Sequence, residues 1–305
     1  MRARLGADAS LVLVTLIWGS TFVVVKNTLD AIEPFSFVAL RFWLAAIVLF
    51  AFHGRGVLRS DARRLRVGLL LGTFLLAGFL LQTLGLQLTT PARAGFLTGL
   101  CVVFVPLLQA VMTRMRPGRS VGFGIGLATI GMVVLSAPIS VEELATGNWV
   151  GDLLVIGCAV AFAMHIVGVG HFARGQPAGA STSLQIFVAA VGATLLAIVA
   201  RERTGLILDS QAWIAVVYVG AIATAPTFLI QNWAQRRTTA THTALIFSLE
   251  PVFAAMFSAQ FYGEAIAPRV LFGGALILAG ILVAELSPWQ IDKEEIARKT
   301  KTAPT

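Results

Sequence analysis

Six stretches of this chain contain no aspartate, glutamate, lysine or arginine: Val67–Ala92, Ala94–Thr113, Ser120–Val141, Leu153–Ala173, Gly175–Ala200 and Ser210–Gln235. Each matches or exceeds the ~20 apolar residues that carry a helix across a bilayer. Backbone in hydrocarbon must satisfy its own polar groups, so such runs fold as helices. Composition agrees: the chain is 57% hydrophobic and only 12% charged, against about 25% charge in a soluble domain. An all-α polytopic membrane protein is expected, with no separate soluble domain.

Hydropathy and loop signals give ten spans: 8–27, 35–53, 67–88, 94–113, 121–138, 151–172, 181–200, 212–234, 240–261 and 268–286. The first apolar run has no small-residue cleavage site behind it and reads as a retained helix, not a signal peptide. Seventeen Lys and Arg fall on the side of the chain termini, five on the other, and Arg41 inside a span. Basic residues concentrate on the cytoplasmic side of short loops, so both termini are expected in the cytoplasm of a cell whose plasma membrane holds the protein. The opposite loops carry Asp30, Glu33, Glu142, Glu143, Glu202, Asp209 and Glu264.

The sequence also repeats. A displacement of 149 residues carries Phe79–Gln82 onto Phe228–Gln231, Thr89-Thr90 onto Thr238-Thr239, Phe123-Gly124 onto Phe272-Gly273 and Gly131 onto Gly280. A displacement of 144 carries Asp8 onto Asp152, Trp18 onto Phe162 and Leu40 onto Leu184. Two five-span units follow, residues 1–145 and 146–288, with a cytoplasmic tail over 289–305. Five is odd, so the second unit enters the membrane inverted. Inverted repeats around a central cavity are a transporter architecture, because two similar halves give two related conformations open to opposite sides.

Other function classes find little support. The formal net charge of +8 is explained by loop residues that set topology, and no basic face with aromatic platforms suggests nucleic acid. His53, His165, His171 and His242 are scattered, so no metal site is expected, and no nucleotide or cofactor fingerprint occurs. Cys101 and Cys158 lie inside spans and read as small packing residues. An intramembrane enzyme would need a reactive cluster, and none is visible.

The polar residues within spans are the informative set. Thr241–Glu264 is long enough to cross a bilayer, yet Glu250 sits near its middle beside Pro251; a buried carboxylate and a helix-breaking residue are each costly there. Glu250 and Arg41 are the deepest charges, read either as a structural pair or with Glu250 titrating during transport. Gln82 and Gln231 occupy equivalent positions, which suits a substrate site near the pseudo-two-fold axis; the alternative is hydrogen-bonded glue between helices. Trp18-Gly19-Ser20-Thr21 in the first span offers a polar and aromatic face or a tight packing face. His165 falls at the position equivalent to Thr21 and titrates near physiological pH. Lys26, Asp30 and Glu33 read as interfacial anchors. Gly122, Gly126, Gly273 and Ala275 give spans five and ten small-residue faces, so a monomer or a weak homodimer through those spans is expected.

Taken together, several motifs resemble the EamA-type members of the drug/metabolite transporter superfamily. They are Leu16-Ile17-Trp18-Gly19-Ser20-Thr21-Phe22, Leu40-Arg41-Phe42, Thr90-Pro91-Ala92-Arg93-Ala94-Gly95-Phe96-Leu97-Thr98, Phe104-Val105-Pro106-Leu107-Leu108 and Ser248-Leu249-Glu250-Pro251-Val252-Phe253 with Gly263-Glu264. The resemblance covers nearly the whole chain. It implies a ten-helix transporter of small organic solutes, usually an exporter of the bacterial inner membrane, with a cavity lined by spans one to four and six to nine. The first half departs from the motif: Cys101 and Val102 stand where the second half has Glu250-Pro251, and Met115 stands where it has Glu264.

Cavity chemistry narrows the solute by elimination. A sugar phosphate would need several deep cations, and only Arg41 is deep. A cationic drug antiporter would need an acid in the first span, and none lies between Asp8 and Lys26. The remaining candidates are Trp18, Thr21, Trp43, Phe79, Gln82, Thr98, His165, Phe228 and Gln231, with Glu250 and Arg41 as coupling or structural charges. Amide, hydroxyl and aromatic groups suit neutral or zwitterionic metabolites, amino acids including aromatic ones. The expected partners are that solute and the lipid bilayer. Export is the leading expectation; import, bidirectional facilitation and efflux of other small molecules stand as alternatives.

Overall fold

The computed structural model describes residues 2–114, 118–136, 148–173, 175–202, 209–262 and 268–285. Met115, the acids Glu142 and Glu143, the division near residue 145, the Gly263-Glu264 motif and the tail from residue 289 lie outside these.

The described residues form helices and short connections, with no strand among them. In chain order these are α1 (Arg2–Thr28), α2 (Pro34–Leu58), α3 (Ala62–Leu88), α4 (Pro91–Gly99), α5 (Cys101–Thr113), α6 (Arg119–Ser136), α7 (Trp149–Phe172), α8 (Ala178–Val199), α9 (Ser210–Val217), a π-helical turn (Tyr218–Ile222), α10 (Ala225–Ala234), α11 (Ala240–Phe247), α12 (Glu250–Tyr262) and α13 (Pro268–Glu285). Eight helical stretches, several joined from two helices, are long and apolar enough to cross a membrane, and α6 and α13 are shorter apolar helices. Ile47, Phe52, Leu107, Phe123 and Leu195 are exposed around the outside, as a lipid-facing surface requires. The chain is a multi-pass membrane protein.

Helix starts follow from local capping. Asp61, Thr90, Asp209 and Thr239 each accept the backbone N–H three residues on, from Arg64, Arg93, Ala212 and His242. Such a cap satisfies one of the orphan donors of a first turn. Thr90 and Thr239 are related by the 149-residue displacement, so α4 and α11 begin in the same way. Lys26, expected as an interfacial anchor, reaches from α1 to the open C-terminus of α3, with Nζ 2.7 Å from the Leu86 carbonyl.

Three of the spanning stretches are interrupted. The first break falls at Leu100, between α4 and α5, and the second at Ser248-Leu249, between α11 and α12. Leu100 and Leu249 are again 149 residues apart. Each break is a tightened turn: Leu100 N–H bonds the Leu97 carbonyl at 3.2 Å and Leu249 N–H the Ile246 carbonyl at 3.1 Å. The span expected over 240–261 is thus two helices, and Pro251 lacks the N–H that would have bonded the Phe247 carbonyl. The third break is the π-turn, where α9 gives way to α10.

Helices pack α2 on α8, α3 on α7 and α8, α1 on α12, and α6 on α13. Small residues permit the closest approaches. A Cβ at Gly19 would lie 2.6 Å from Phe253 Cβ, and one at Gly131 would lie 2.6 Å from the Gly273 carbonyl oxygen. The small face of α6 is therefore spent largely on α13 of the same chain, whereas a Cβ at Gly122 or Gly126 would meet nothing within 4 Å among the described residues.

Candidate functional site

A cavity lies between the helices. Its wall includes Trp18, Thr21, Arg41, Phe79, Gln82, Thr98, Phe162, His165, Phe228, Gln231, Phe247 and Glu250. These residues come largely in doublets three apart, which share one helix face: Trp18 with Thr21, Phe79 with Gln82, Phe162 with His165, and Phe228 with Gln231. The two repeat displacements carry each first-half doublet onto a second-half doublet. They also carry Thr98 onto Phe247 and Cys101 onto Glu250, so both helix breaks contribute to the wall.

Aromatic rings build the apolar part. Trp18 packs against Phe228 and Phe247, with centroids 5.1 and 5.0 Å away. Phe79 meets Phe42, Phe162 and Phe228. Arg41 lies over the Phe79 ring, its guanidinium carbon 4.3 Å from the centroid, a cation–π arrangement.

The π-turn supplies polar contacts. Thr224 Oγ1 donates to the Val219 carbonyl at 2.6 Å and accepts from Arg41 Nε at 2.7 Å. Trp18 Nε1 donates to the Ala223 carbonyl at 3.0 Å and lies 3.2 Å from Thr227 Oγ1. Carbonyls loosened by a wide turn thus find donors on α1 and within their own segment, as a break at membrane depth demands. Arg41 and Glu250 face the same cavity. Gln82 Nε2 donates to Thr98 Oγ1 at 3.3 Å.

The Arg93–Asp152 ion pair and a His242–Asp8 histidine–carboxylate contact stand outside this ring, each joining one half of the chain to the other. Arg93 Nε at the start of α4 lies 2.8 Å from Asp152 Oδ1 at the start of α7. His242 Nε2 at the start of α11 lies 3.2 Å from Asp8 Oδ1 on α1. The same displacements relate Arg93 to His242 and Asp8 to Asp152.

The EamA-like transporter family model matches residues 5–137 and, a second time, residues 149–286. The chain belongs to the EamA-like transporter family. An uncharacterized transporter of Archaeoglobus fulgidus is 31% identical over 283 residues, covering 93% of this chain and 87% of its own. A probable terminal-alkyne amino-acid exporter of Streptantibioticus cattleyicolor is 28% identical, covering 90% and 91%. A probable amino-acid metabolite efflux pump of Salmonella typhimurium is 25% identical, covering 89% and 92%. A crystal structure 23% identical superposes with a TM-score of 0.75 over 92% of this chain and 98% of the other, which speaks for the fold.

Within this EamA-like chain, all but one of the residues expected at the site line the cavity. Trp43 does not. It is 37% exposed on α2, donates from Nε1 to Thr194 Oγ1 at 2.9 Å and meets the Phe187 ring edge-on. Two positions beyond Arg41, it is turned about 200° around the helix, so the two cannot share a face.

Gln185, Asn232 and Gln235 were not among the residues expected at the site. All three are buried. Gln185 lies 2.8 Å from His165 Nε2, Asn232 lies 3.3 Å from Gln185 Nε2, and Gln235 lies 3.2 Å from Gln231 Nε2. One signal pointed to Gln185: it is the residue that the 144-residue displacement pairs with Arg41.

Proposed function

We propose that this protein is a secondary transporter that exports small neutral or zwitterionic metabolites, amino acids including aromatic ones, by alternating access. The reading takes all ten apolar helical units as spans and the two halves as inverted repeats about the cavity. It sets the protein in the bacterial inner membrane with both termini cytoplasmic, following the loop charges. Exposed Gly122 and Gly126 leave a weak contact between copies through α6 in the same reading.

The observation that carries the proposal is the match between sequence repeat and cavity. One central site takes equivalent residues from both halves, and broken helices contribute to its wall, a feature that inverted-repeat transporters use. The Arg93–Asp152 and Asp8–His242 pairs flank it as counterparts. In this reading the first bridges the halves at the outer mouth and the second at the cytoplasmic mouth. Opening one mouth while the other pair holds gives alternating access. The solute class rests on the aromatic and amide wall, on one cationic and one acidic side chain, and on the names of two relatives.

A panel of radiolabelled solutes in proteoliposomes, with and without a pH gradient, tests the proposal. Aromatic and other neutral amino acids are expected to exchange above protein-free vesicles. Gln82→Ala and Gln231→Ala are each expected to slow that exchange without loss of folded protein. Background exchange of every amino acid by folded protein would overturn the solute class, and wild-type rates in both variants would assign the glutamines to packing.

A further inference from the structure

Two hydrogen-bond chains in the second half each begin on a backbone carbonyl and end at the cavity. A carbonyl only accepts, so it fixes the orientation of every amide along its chain. The first begins at the Phe228 carbonyl, which takes Asn232 Nδ2 at 3.0 Å. Asn232 Oδ1 is thereby left to accept from Gln185 Nε2 at 3.3 Å, and the same amide donates to Ser181 Oγ at 3.0 Å. With both amide hydrogens committed, Gln185 turns its Oε1 to His165 Nε2 at 2.8 Å. That nitrogen must carry the hydrogen. In the neutral ring Nδ1 is then an acceptor, and it has no protein partner among the described residues.

The second chain begins at the Ile166 carbonyl, which takes Gln235 Nε2 at 3.0 Å. Gln235 Oε1 then accepts from Gln231 Nε2 at 3.2 Å. Gln231 Oε1 is left over: it is buried with no partner among the described residues, on a residue only 1% exposed. His165 and Gln231 both line the cavity. An unpaired buried acceptor is costly unless something donates to it.

Building on the transport reading above, we propose that Gln185 and Gln235 are positioning residues that present His165 Nδ1 and Gln231 Oε1 as paired acceptors for a solute carrying at least two N–H donors, a primary ammonium. The apolar body of that solute lies on the rings of Phe79, Phe162 and Phe228. A site built to pair a polar group rejects the analogue that lacks it, because its own polar atoms are left unmatched. This assigns the amine end of the solute to the second half of the chain.

Two measurements on full-length protein in nanodiscs test this. The first compares thermal stabilisation by L-phenylalanine, phenethylamine and 3-phenylpropionate. Both amines are expected to bind at least ~10-fold more tightly than the desamino acid. Gln185→Leu is expected to reduce that preference to less than ~3-fold, whereas Gln185→Glu, which keeps an acceptor oxygen toward His165, retains most of it. Equal binding of all three by wild-type protein, or full preference in Gln185→Leu, overturns the proposal. The second is ¹⁵N NMR of ring-labelled histidine, with His165 assigned by its absence in His165→Gln. A neutral ring protonated on Nε2 is expected, with the Nδ1 signal shifting on addition of phenethylamine. A ring protonated on Nδ1 overturns the proposal even if no solute is found to be transported. A ring protonated on Nε2 in a protein that moves no amino acid would sink the transport reading and leave the orientation chain standing.

Discussion

Arg93 and Asp152 are ion-paired between the two halves of the chain, Nε to Oδ1 2.8 Å, and the residues a repeat away from them, His242 and Asp8, are paired at 3.2 Å. The two pairs share their sequence relationship and lie on different helices. Both stand outside the aromatic ring that encloses the cavity.

If the Arg93–Asp152 pair closes one mouth, its polarity is immaterial but its existence is not. Asp152→Arg and Arg93→Asp should each slow exchange in proteoliposomes, and the double exchange should recover most of the rate. Coupling of about 0.5–3 kcal/mol between the two sites is expected from the rate constants. Strict additivity would deny the pair a part in the cycle.

Gly19 lets α1 lie directly on α12. A Cβ there meets Phe253 Cβ at 2.6 Å and the Ala254 backbone nitrogen at 2.9 Å, and backbone has little room to give. Gly19→Val should therefore destabilise the protein by about 1–3 kcal/mol through overpacking. Thermal unfolding in detergent measures this, and an unchanged midpoint would mean that α12 yields freely.

Two tryptophans sort function from surface. Trp18 lines the cavity and donates to the Ala223 carbonyl, whereas Trp43 lies on the outer face of α2. Trp18→Phe removes that donor while Thr227 Oγ1 still donates to the same carbonyl at 2.7 Å, so the loss is one hydrogen bond, about 0.5–1.5 kcal/mol, and exchange should fall by roughly two- to tenfold. Trp43→Leu should keep the wild-type KM. A larger loss for Trp43 than for Trp18 would reverse the assignment.

Glu250 is the acidic side chain on the cavity wall, at the start of α12. Glu250→Gln preserves its shape and removes its titration. Exchange measured across a pH series is expected to become nearly flat in the variant while folded protein is retained. Intact activity with unchanged pH dependence would leave Glu250 a packing residue only.

The sequence was most legible where its pattern was strongest. Charge-free runs marked the membrane helices. The repeat displacements singled out Gln82, Gln231, Thr21 and His165, all of which line the cavity. The break at Leu100 was hidden, because it is a single tightened turn within an apolar run, whereas Pro251 marked the one at Leu249. The π-turn at Tyr218–Ile222 had no composition signal beyond Pro226 downstream. Trp43 misled because a uniformly apolar helix offers no period from which to read its faces. Gln185 and Gln235 were missed because their role is to orient other side chains, and orientation chains run between helices far apart in sequence.

The most direct test of the central claim is counterflow. Proteoliposomes loaded with unlabelled L-phenylalanine are diluted into a trace of the labelled solute, and internal label is followed over time. A carrier with one cavity exposed alternately to each side gives a transient overshoot above the external concentration, and His165→Leu should abolish it. Simple equilibration without overshoot, by protein shown to be folded, would contradict alternating access.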